Sequence, residues 1–569
     1  MKQNKPEIKI IPPRSEVEVH LDDGRVLSGP RGTCVGDFLS ILEEEPPIVG
    51  AIVNGQLREL TYPIKVESHV RPVTMGEADG MRFYRRSLTF LLEAVFVELF
   101  PNAILTIDHS VSSGGYFCQV YHRSPLSEEE LNSLENRMRE LVAEDIPFKR
   151  EEVPIEEAIT YFKQKGYDDK VRLLAHRKKS HLILYKMGNH RDYHHGYMVP
   201  STGTLNWFAL KSTDDGFTLR FPRRHRPTEL LPLPEYTNLL NTFRIYGDWL
   251  QRIGIDSVGV LNDAIFEGRI REVILVSEAL HEHFIADIAA QIAAQINNVR
   301  VVFIAGPSAS GKTAFAKRLM VQLLARGISP FPLGMDNYFV DREVTPKDEK
   351  GELDFESINA LNRKRLNEDL LRLIACEEVQ LPHFNFLEGC SEPGEVVQLY
   401  PGQIIILEGI HGLNPDLIPD IPVEQTFRIY ASALTQLNLD RHNRVSTTDT
   451  RLIRRIVRDA RERGYSAQET IRRWESVRRG EKRYIFPYQE NADLMFNSAL
   501  VYELAALKPL AVPLLRQVPL GTIEFIEAKR LLAFLEWFLP CDSDPIPDNS
   551  ILREFVGDFS LKSFKIWRQ

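Results

Sequence analysis

The first pattern along the chain is a short alternation. Residues 16–21 read EVEVHL, with Val17, Val19 and Leu21 on one face of an extended strand. The turn residues Asp22, Asp23 and Gly24 follow and RVL resumes the pattern, which predicts a β-hairpin. A helix-like VGDFLSIL and a strand, VGAIVNG, come next, so a small α+β module is expected to end near Thr74. From Met81 the period changes. RSLTFLLEAVFVELF predicts a long apolar helix, and SEEELNSLENRMRELVAE an amphipathic one opened by a capping box of Ser127 and Glu130. This second module mixes helices with short strands and runs to the proline-rich RPTELLPLPEY. Beyond it, YTNLLNTFRIYGDWLQRIG and ILVSEALHEHFIADIAAQIAAQI carry the period of helices.

VRVVFIA is a β-branched run suited to a buried parallel strand, and it ends at Gly306 of GPSASGKT. Phe315, Leu319 and Leu323 then recur at helical spacing as far as Gly327, a suitable helix stop. The loop Gly306, Pro307, Ser308, Ala309, Ser310, Gly311, Lys312 and Thr313 therefore joins a strand to a helix. Its glycines let the backbone curl so that N–H groups point at phosphate oxygens, and the helix N-terminus adds positive potential. Lys312 can reach the β and γ phosphates and the Thr313 hydroxyl can ligate a metal, so ATP and Mg2+ are the expected ligands. Two carboxylates follow apolar segments: Asp336 after PFPLGM and Glu408 after QIIIL. At the carboxyl edge of a parallel sheet both face the crevice, where one can serve the metal and the other a hydroxyl. In DTRLIRRIVRDARERG, Arg451, Arg455 and Arg458 share a helical face and are expected to close over a triphosphate as a lid.

Composition adds bounds. A chain of 569 residues exceeds what one hydrophobic core supports, so several domains are expected. The N-terminus is polar and no apolar run is long enough to span a bilayer, which predicts a soluble cytoplasmic protein with no membrane contact. Five scattered cysteines without close pairing read as reduced thiols rather than a disulfide or zinc framework. With a net charge of −9, any polyanion site must be local; RFPRRHRP reads as solvated charge or a docking patch.

GPSASGKT, MDNYF, LDF, LEGI and RRIVRDARERG stand in the order found in the uridine kinase branch of the P-loop nucleoside kinases, which the chain resembles over about residues 295–500. The resemblance implies an α/β fold with a P-loop parallel sheet, and ATP- and Mg2+-dependent phosphorylation of a nucleoside 5′-hydroxyl, with uridine or cytidine as the expected acceptor. It places the base at Asp336, sugar contacts at Asp354 and Arg455, phosphate neutralisation at Lys312, Arg458 and Arg463, and the metal-side acid at Glu408 beside Thr313. Around the nucleobase the chain departs from the family. A Tyr-Asp-Phe run and a nearby His correspond here to Phe384, Asn385 and Gly389, and Tyr465 replaces a lid arginine. Weak or redirected uridine selectivity follows, with Phe384 and Asn385 as candidate base contacts. Another small hydroxyl acceptor, such as a sugar phosphate, stays open.

Residues 14–74 resemble the ubiquitin-like TGS module, and 81–235 the second additional domain of threonyl-tRNA synthetases. In that synthetase domain an HxxxH pair and a later Cys-x-x-x-His form an editing site. The four positions are Arg86, Phe90, His194 and Met198 here, so a fold kept without editing chemistry is expected, with His190, His194 and His195 as polar loop residues. The expected order continues with a helical connector at 236–296, a kinase domain at 297–510 and a C-terminal helical tail at 511–569. A nucleoside substrate, RNA contact by the front modules and a homo-oligomer are the expected partners. The competing reading is a nucleotide-controlled RNA-binding switch. Asp336 weighs against it, because a switch needs no base at an acceptor position.

Overall fold

The computed structural model describes residues 12, 14–111, 114–213, 215–232, 237–348 and 351–564. Two compact units divide the chain. The first comprises Met1–Ala158, Lys179–Leu233 and Leu520–Ile526; the second comprises Ile159–Lys178, Pro234–Pro519 and Glu527–Gln569.

The first unit opens with the hairpin that the alternation predicts: Glu16–Leu21 pairs antiparallel with Val26–Pro30 and buries Val17, Val19 and Leu21. These strands belong to a five-stranded sheet in the order Val26–Pro30, Glu16–Leu21, Ser68–Thr74, Ile48–Val53, Gln56–Arg58, in which Glu16–Leu21 and Ser68–Thr74 run parallel. The short helix Val35–Leu39 covers it with Val35, Phe38 and Leu39. The helix Ala78–Leu99 follows, and it buries Phe83, Tyr84, Leu88, Leu91, Leu92, Val95 and Phe96 in a second core. The capping box of the next helix, Glu128–Ala143, is formed as expected: Glu130 N donates to Ser127 Oγ at 3.2 Å and Ser127 N to Glu130 Oε2 at 3.0 Å. A four-stranded antiparallel sheet (Ala209–Thr213, Gly216–Arg220, Gly115–Tyr121, Ile104–Val111) and a three-stranded one (His190–Asp192, His181–Met187, Lys149–Pro154) complete this unit.

The second unit is built on a five-stranded, wholly parallel sheet in the order Pro330–Gly334, Ile404–Glu408, Val301–Ala305, Thr426–Ser432, Leu494–Asn497. Every residue of Val301–Ala305 is buried, because helices cover both faces and leave no polar side to the strand. On one face lie the helices Ile270–Ala294 and Lys312–Ala325, contributing Ile285, Ile288, Phe315 and Leu319; on the other lies Arg363–Ile374 with Leu366, Leu370 and Leu373. Among the described residues no helix is long and apolar enough to cross a membrane.

Two segments group differently from the sequence boundaries. Residues 159–178, inside the expected 81–235 module, cluster with the second unit. Their helix Asp168–Ala175 carries Lys170, whose ammonium meets Asp440 at 3.1 Å with both side chains fully buried, and Asp169, which accepts from Arg441 N at 2.8 Å. Neither pairing is visible in a local pattern, since about 270 residues of chain separate the partners. The tail expected from 511 is not separate either. The helix Glu503–Arg516 runs through that boundary, and Ile551 joins the core under the parallel sheet.

Candidate active site

The loop after Val301–Ala305 is shaped by positions where a side chain does not fit. A Cβ on Gly306 would lie 2.0 Å from the Ala431 carbonyl oxygen, and Gly311 sits at φ 83°, where a Cβ would press on Ile551 at 2.6 Å. Ala309 also takes a positive φ of 57°. The turn delivers Lys312 and Thr313 as the first residues of the Lys312–Ala325 helix, so that helix aims its positive end at the loop. Lys312 Nζ donates to the Pro307 carbonyl at 3.2 Å, inside the loop.

The two strand-end carboxylates converge on this point. Gly334 and Glu408 are register partners on adjacent parallel strands, and Asp336 lies two residues further on. Thr313 Oγ1 donates to Glu408 Oε1 at 3.0 Å, so a hydroxyl and a carboxylate suited to one hard cation already touch. Burial pushes the Glu408 carboxyl up to about 7; Glu554 and Asp336 add to the rise, and the Lys312 ammonium opposes it. Asp336 is exposed, yet desolvation by the protein around it raises its carboxyl above the ordinary range, while Lys312 and Arg463 pull it down. The loop, the Thr313–Glu408 pair and the Lys312 ammonium fit a nucleotide triphosphate with a divalent metal.

The arginines divide into two sets. Arg451 is not a lid residue: its side chain is 1% exposed, pairs with the buried Glu481, and donates through Nε to the Ser308 carbonyl at 2.9 Å. The i, i+4, i+3 face that it shares with Arg455 and Arg458 starts inside the protein, because the first turns of the Thr447–Glu462 helix are buried. Glu481 accepts from Ser308 N at 3.2 Å and from Arg478 at 2.7 Å, and those arginines keep its carboxyl low despite burial. Arg454 pairs with Glu503 at 2.5 Å and donates to the Ser498 carbonyl at 2.8 Å. Arg451 thus holds the loop directly at Ser308, and Arg454 holds it through Ser498, whose hydroxyl donates to the Ser310 carbonyl. Arg455, Arg458 and Arg463 instead gather on Asp459, at 3.1, 3.0 and 3.5 Å. Arg455 Nη1 also donates to Ser308 Oγ at 2.8 Å, and half of the Arg463 side chain is exposed.

On the acceptor side, Asp354 accepts from the Tyr484 hydroxyl at 3.1 Å and from Glu356 N at 3.2 Å. The sequence reading passed over Glu356. Burial, with Glu481 and Asp354 adding to it, pushes its carboxyl up to about 7, against Arg455 and Lys312. The signal was the second acid in LDFES. It passed over His411 as well, whose ring lies 6.0 Å from that of Tyr484 and which burial keeps neutral, its pKa pushed down to about 4. Glu554 was missed because it lies in the tail: its Oε2 accepts from Ala314 N at 3.1 Å, at the helix N-terminus itself.

The expected base contacts are differently employed. Phe384 is 2% exposed and packs edge-on against Phe339 and Phe386 at 5.6 and 5.1 Å. Asn385 closes its own hairpin turn, accepting from Leu387 N and Glu388 N at 3.1 and 3.2 Å and donating to Glu392 at 2.9 Å. Gly389 takes φ 77°, with Arg342 2.6 Å from the place of a Cβ, so it is a turn glycine and admits no histidine without strain. Arg473 stacks on Tyr465 at 4.5 Å.

In the first unit the four positions that match the synthetase editing set form a packed cluster. Arg86 Nη1 donates to the Tyr197 carbonyl, the Phe90 ring lies 5.6 Å from His194, and Met198 is buried with its N–H donated to Glu59 at 3.0 Å. An arginine, an aromatic ring and a thioether occupy three of the places where ligands would stand.

Residues 301–505 match the model of the Phosphoribulokinase / Uridine kinase family. The threonine–tRNA ligase of Polynucleobacter asymbioticus is 36% identical over 163 residues, 28% of this chain and 25% of that protein. That of Thermotoga maritima is 28% identical over 204 residues, 36% of this chain and 31% of that protein. The chain thus spans between a quarter and a third of the length of these curated relatives. Among solved structures, one described as a "Possible Uridine Kinase" from Bacillus stearothermophilus is 22% identical, with a TM-score of 0.20 over 25% of this chain and 80% of that one. The D-glycerate 3-kinase of Cryptococcus neoformans is 14% identical, with a TM-score of 0.21 over 46% and 89%.

Proposed function

We propose that the second unit is an ATP-dependent phosphotransferase whose acceptor is a nucleoside 5′-hydroxyl. The observation that carries this reading is the placement of Asp336 and Glu408 at the ends of neighbouring parallel strands, beside Lys312 of the phosphate loop. A nucleotide switch has use for Glu408 but none for Asp336. In the proposed reaction the acceptor oxygen forms a bond to the γ-phosphorus, the bond from that phosphorus to the β,γ-bridging oxygen breaks with its electron pair leaving on ADP, and the acceptor proton passes to Asp336. Lys312, Arg455, Arg458 and Arg463 neutralise the triphosphate, and Asp354 holds a sugar hydroxyl. A magnesium ion held at Thr313 and Glu408 would supply charge neutralisation at the β and γ phosphates.

With Asn385 committed to its turn and Phe384 buried, neither is placed to read a nucleobase edge by hydrogen bonding, so discrimination among bases should be loose. RNA contact by the first unit, a homo-oligomeric assembly and a cytoplasmic setting are parts of the same proposal. The test is ATP consumption, with product mass, across a panel of nucleosides and sugar phosphates. Turnover with several nucleosides supports the reading. Activity confined to a sugar phosphate replaces the acceptor, and strict uridine specificity contradicts the loose pocket.

A further inference from the structure

A second group of chemistry-bearing side chains lies in the first unit, beside two of the four editing-type positions, Phe90 and His194. Glu93, His190 and Asp192 each present a ligand atom, and the three atoms lie within 4.8 Å of one another. Their arrangement follows from local structure. His190 and Asp192 are alternate residues of the strand His190–Asp192, so both project from the same face, while Arg191 between them turns away to Glu151 and Glu157, each at 3.0 Å. Glu93 comes from the helix Ala78–Leu99, one turn beyond Phe90.

The surroundings are unusual for a merely polar core. Glu93 and Asp192 have no solvent exposure, and His190 Nε2 is buried with no hydrogen-bond partner, 3.9 Å from Glu93 Oε2. The His190 side chain is 12% exposed. His194 Nε2 lies 3.2 Å from the same Glu93 oxygen and orients that carboxylate. Phe90 walls the group, with ring centres 5.0 Å from His190 and 5.6 Å from His194. The His190 Nε2 without a partner and one oxygen of each carboxylate lie close enough together to share a single cation.

We propose that Glu93, His190 and Asp192 bind one divalent first-row transition ion, with His194 as a positioning residue on Glu93. The mixed nitrogen and oxygen set suits zinc, at ligand distances of about 2.0–2.2 Å, and three protein ligands leave a coordination position for water. None of Arg86, Phe90 and Met198 takes part.

Zinc is the probe. The full-length, nucleotide-free protein is stripped with a chelator, dialysed against Zn2+, freed of excess metal and assayed by mass spectrometry. One equivalent should remain. His190→Ala and Asp192→Asn should each weaken zinc by more than about 100-fold, since even loss of a group that only supports a ligand costs about 10- to 100-fold. His20→Ala, in the exposed Glu18–His20–Glu67 group at the surface, should change nothing. No retained zinc, or equal retention by His190→Ala, overturns the proposal. If a variant fails to fold, X-ray absorption on the zinc-loaded wild type decides: a shell of nitrogen and oxygen with imidazole supports the site, and sulfur ligation from the cysteines overturns it.

Discussion

The two arginine sets around the phosphate loop, and the synthetase-like cluster in the first unit, use the same side-chain types to opposite ends. Arg451 and Arg454 are each paired with a buried carboxylate and spend their remaining donors on Ser308 and Ser498. Arg455, Arg458 and Arg463 instead converge on Asp459, with Arg458 also 4.0 Å from Glu554, so three guanidinium groups gather around few carboxylates beside Ser308 of the loop. In the first unit, Arg86 is half-buried, donates to the Tyr197 carbonyl, packs against Gly196 and stands at the place of a ligand. The difference lies in how each arginine is compensated: by one dedicated buried carboxylate at Arg451 and Arg454, by a shared aspartate at Arg455, Arg458 and Arg463, and by a backbone carbonyl at Arg86.

The comparison breaks first at Asp336. Asp336→Asn should lower kcat by about 10²–10⁴ while ATP affinity measured by calorimetry stays near wild type, as loss of a general base requires. Loss of ATP binding with turnover per bound site unchanged would make Asp336 a nucleotide residue. Lys312→Ala should cost about 10²–10³ in rate with a native circular dichroism spectrum, since its contact within the fold is one carbonyl. Full activity of that variant would remove the phosphate loop from the mechanism.

Arg451→Ala should act on stability instead. It leaves Glu481 buried with Arg478 alone, at a cost of about 3 kcal/mol, read in the denaturant transition that ATP shifts. Arg463→Ala, half exposed, should slow turnover with that transition unmoved. The reverse pattern would erase the distinction between the two sets.

A smaller effect separates the site by pH. Glu408 and Glu356 both bind their protons up to about 7 in the folded protein, above the ordinary carboxyl range. Between about 4.3 and 7 the native state thus holds protons that the unfolded chain has released, and stability falls as pH rises through that window. Thermal unfolding of the nucleotide-free protein should show this decline, and Glu408→Gln should flatten part of it. An unchanged slope in Glu408→Gln would place that carboxyl in the ordinary range. The smallest expected effect is none. Deacylation of seryl- or alanyl-tRNA by the full-length protein should not exceed a heat-killed control, and a clear rate would show that the packed positions still work.

Legibility in the sequence tracked how local the determinant was. The hairpin at Glu16, the capping box at Ser127, the all-buried strand at Val301 and the left-handed glycine at 311 depend on neighbours a few residues away, so pattern and residue type decided them. At Gly389 the sequence showed only a departure from the family's histidine; its φ of 77° shows that the position serves a turn, which residue correspondence alone does not reveal. Helical spacing put Arg451, Arg455 and Arg458 on one face but carried no information on depth, which is set by what the helix packs against. Glu356, His411 and Glu554 reached the site from separate segments, and residues 159–178 joined the second unit through partners such as Asp440, far along the chain. The sequence by itself determined the elements, the phosphate loop and the residue types available to it. Which charges are neutralised and which are left facing the cleft was decided only by tertiary structure, because compensation of a buried charge depends on distances between segments that the chain order does not encode.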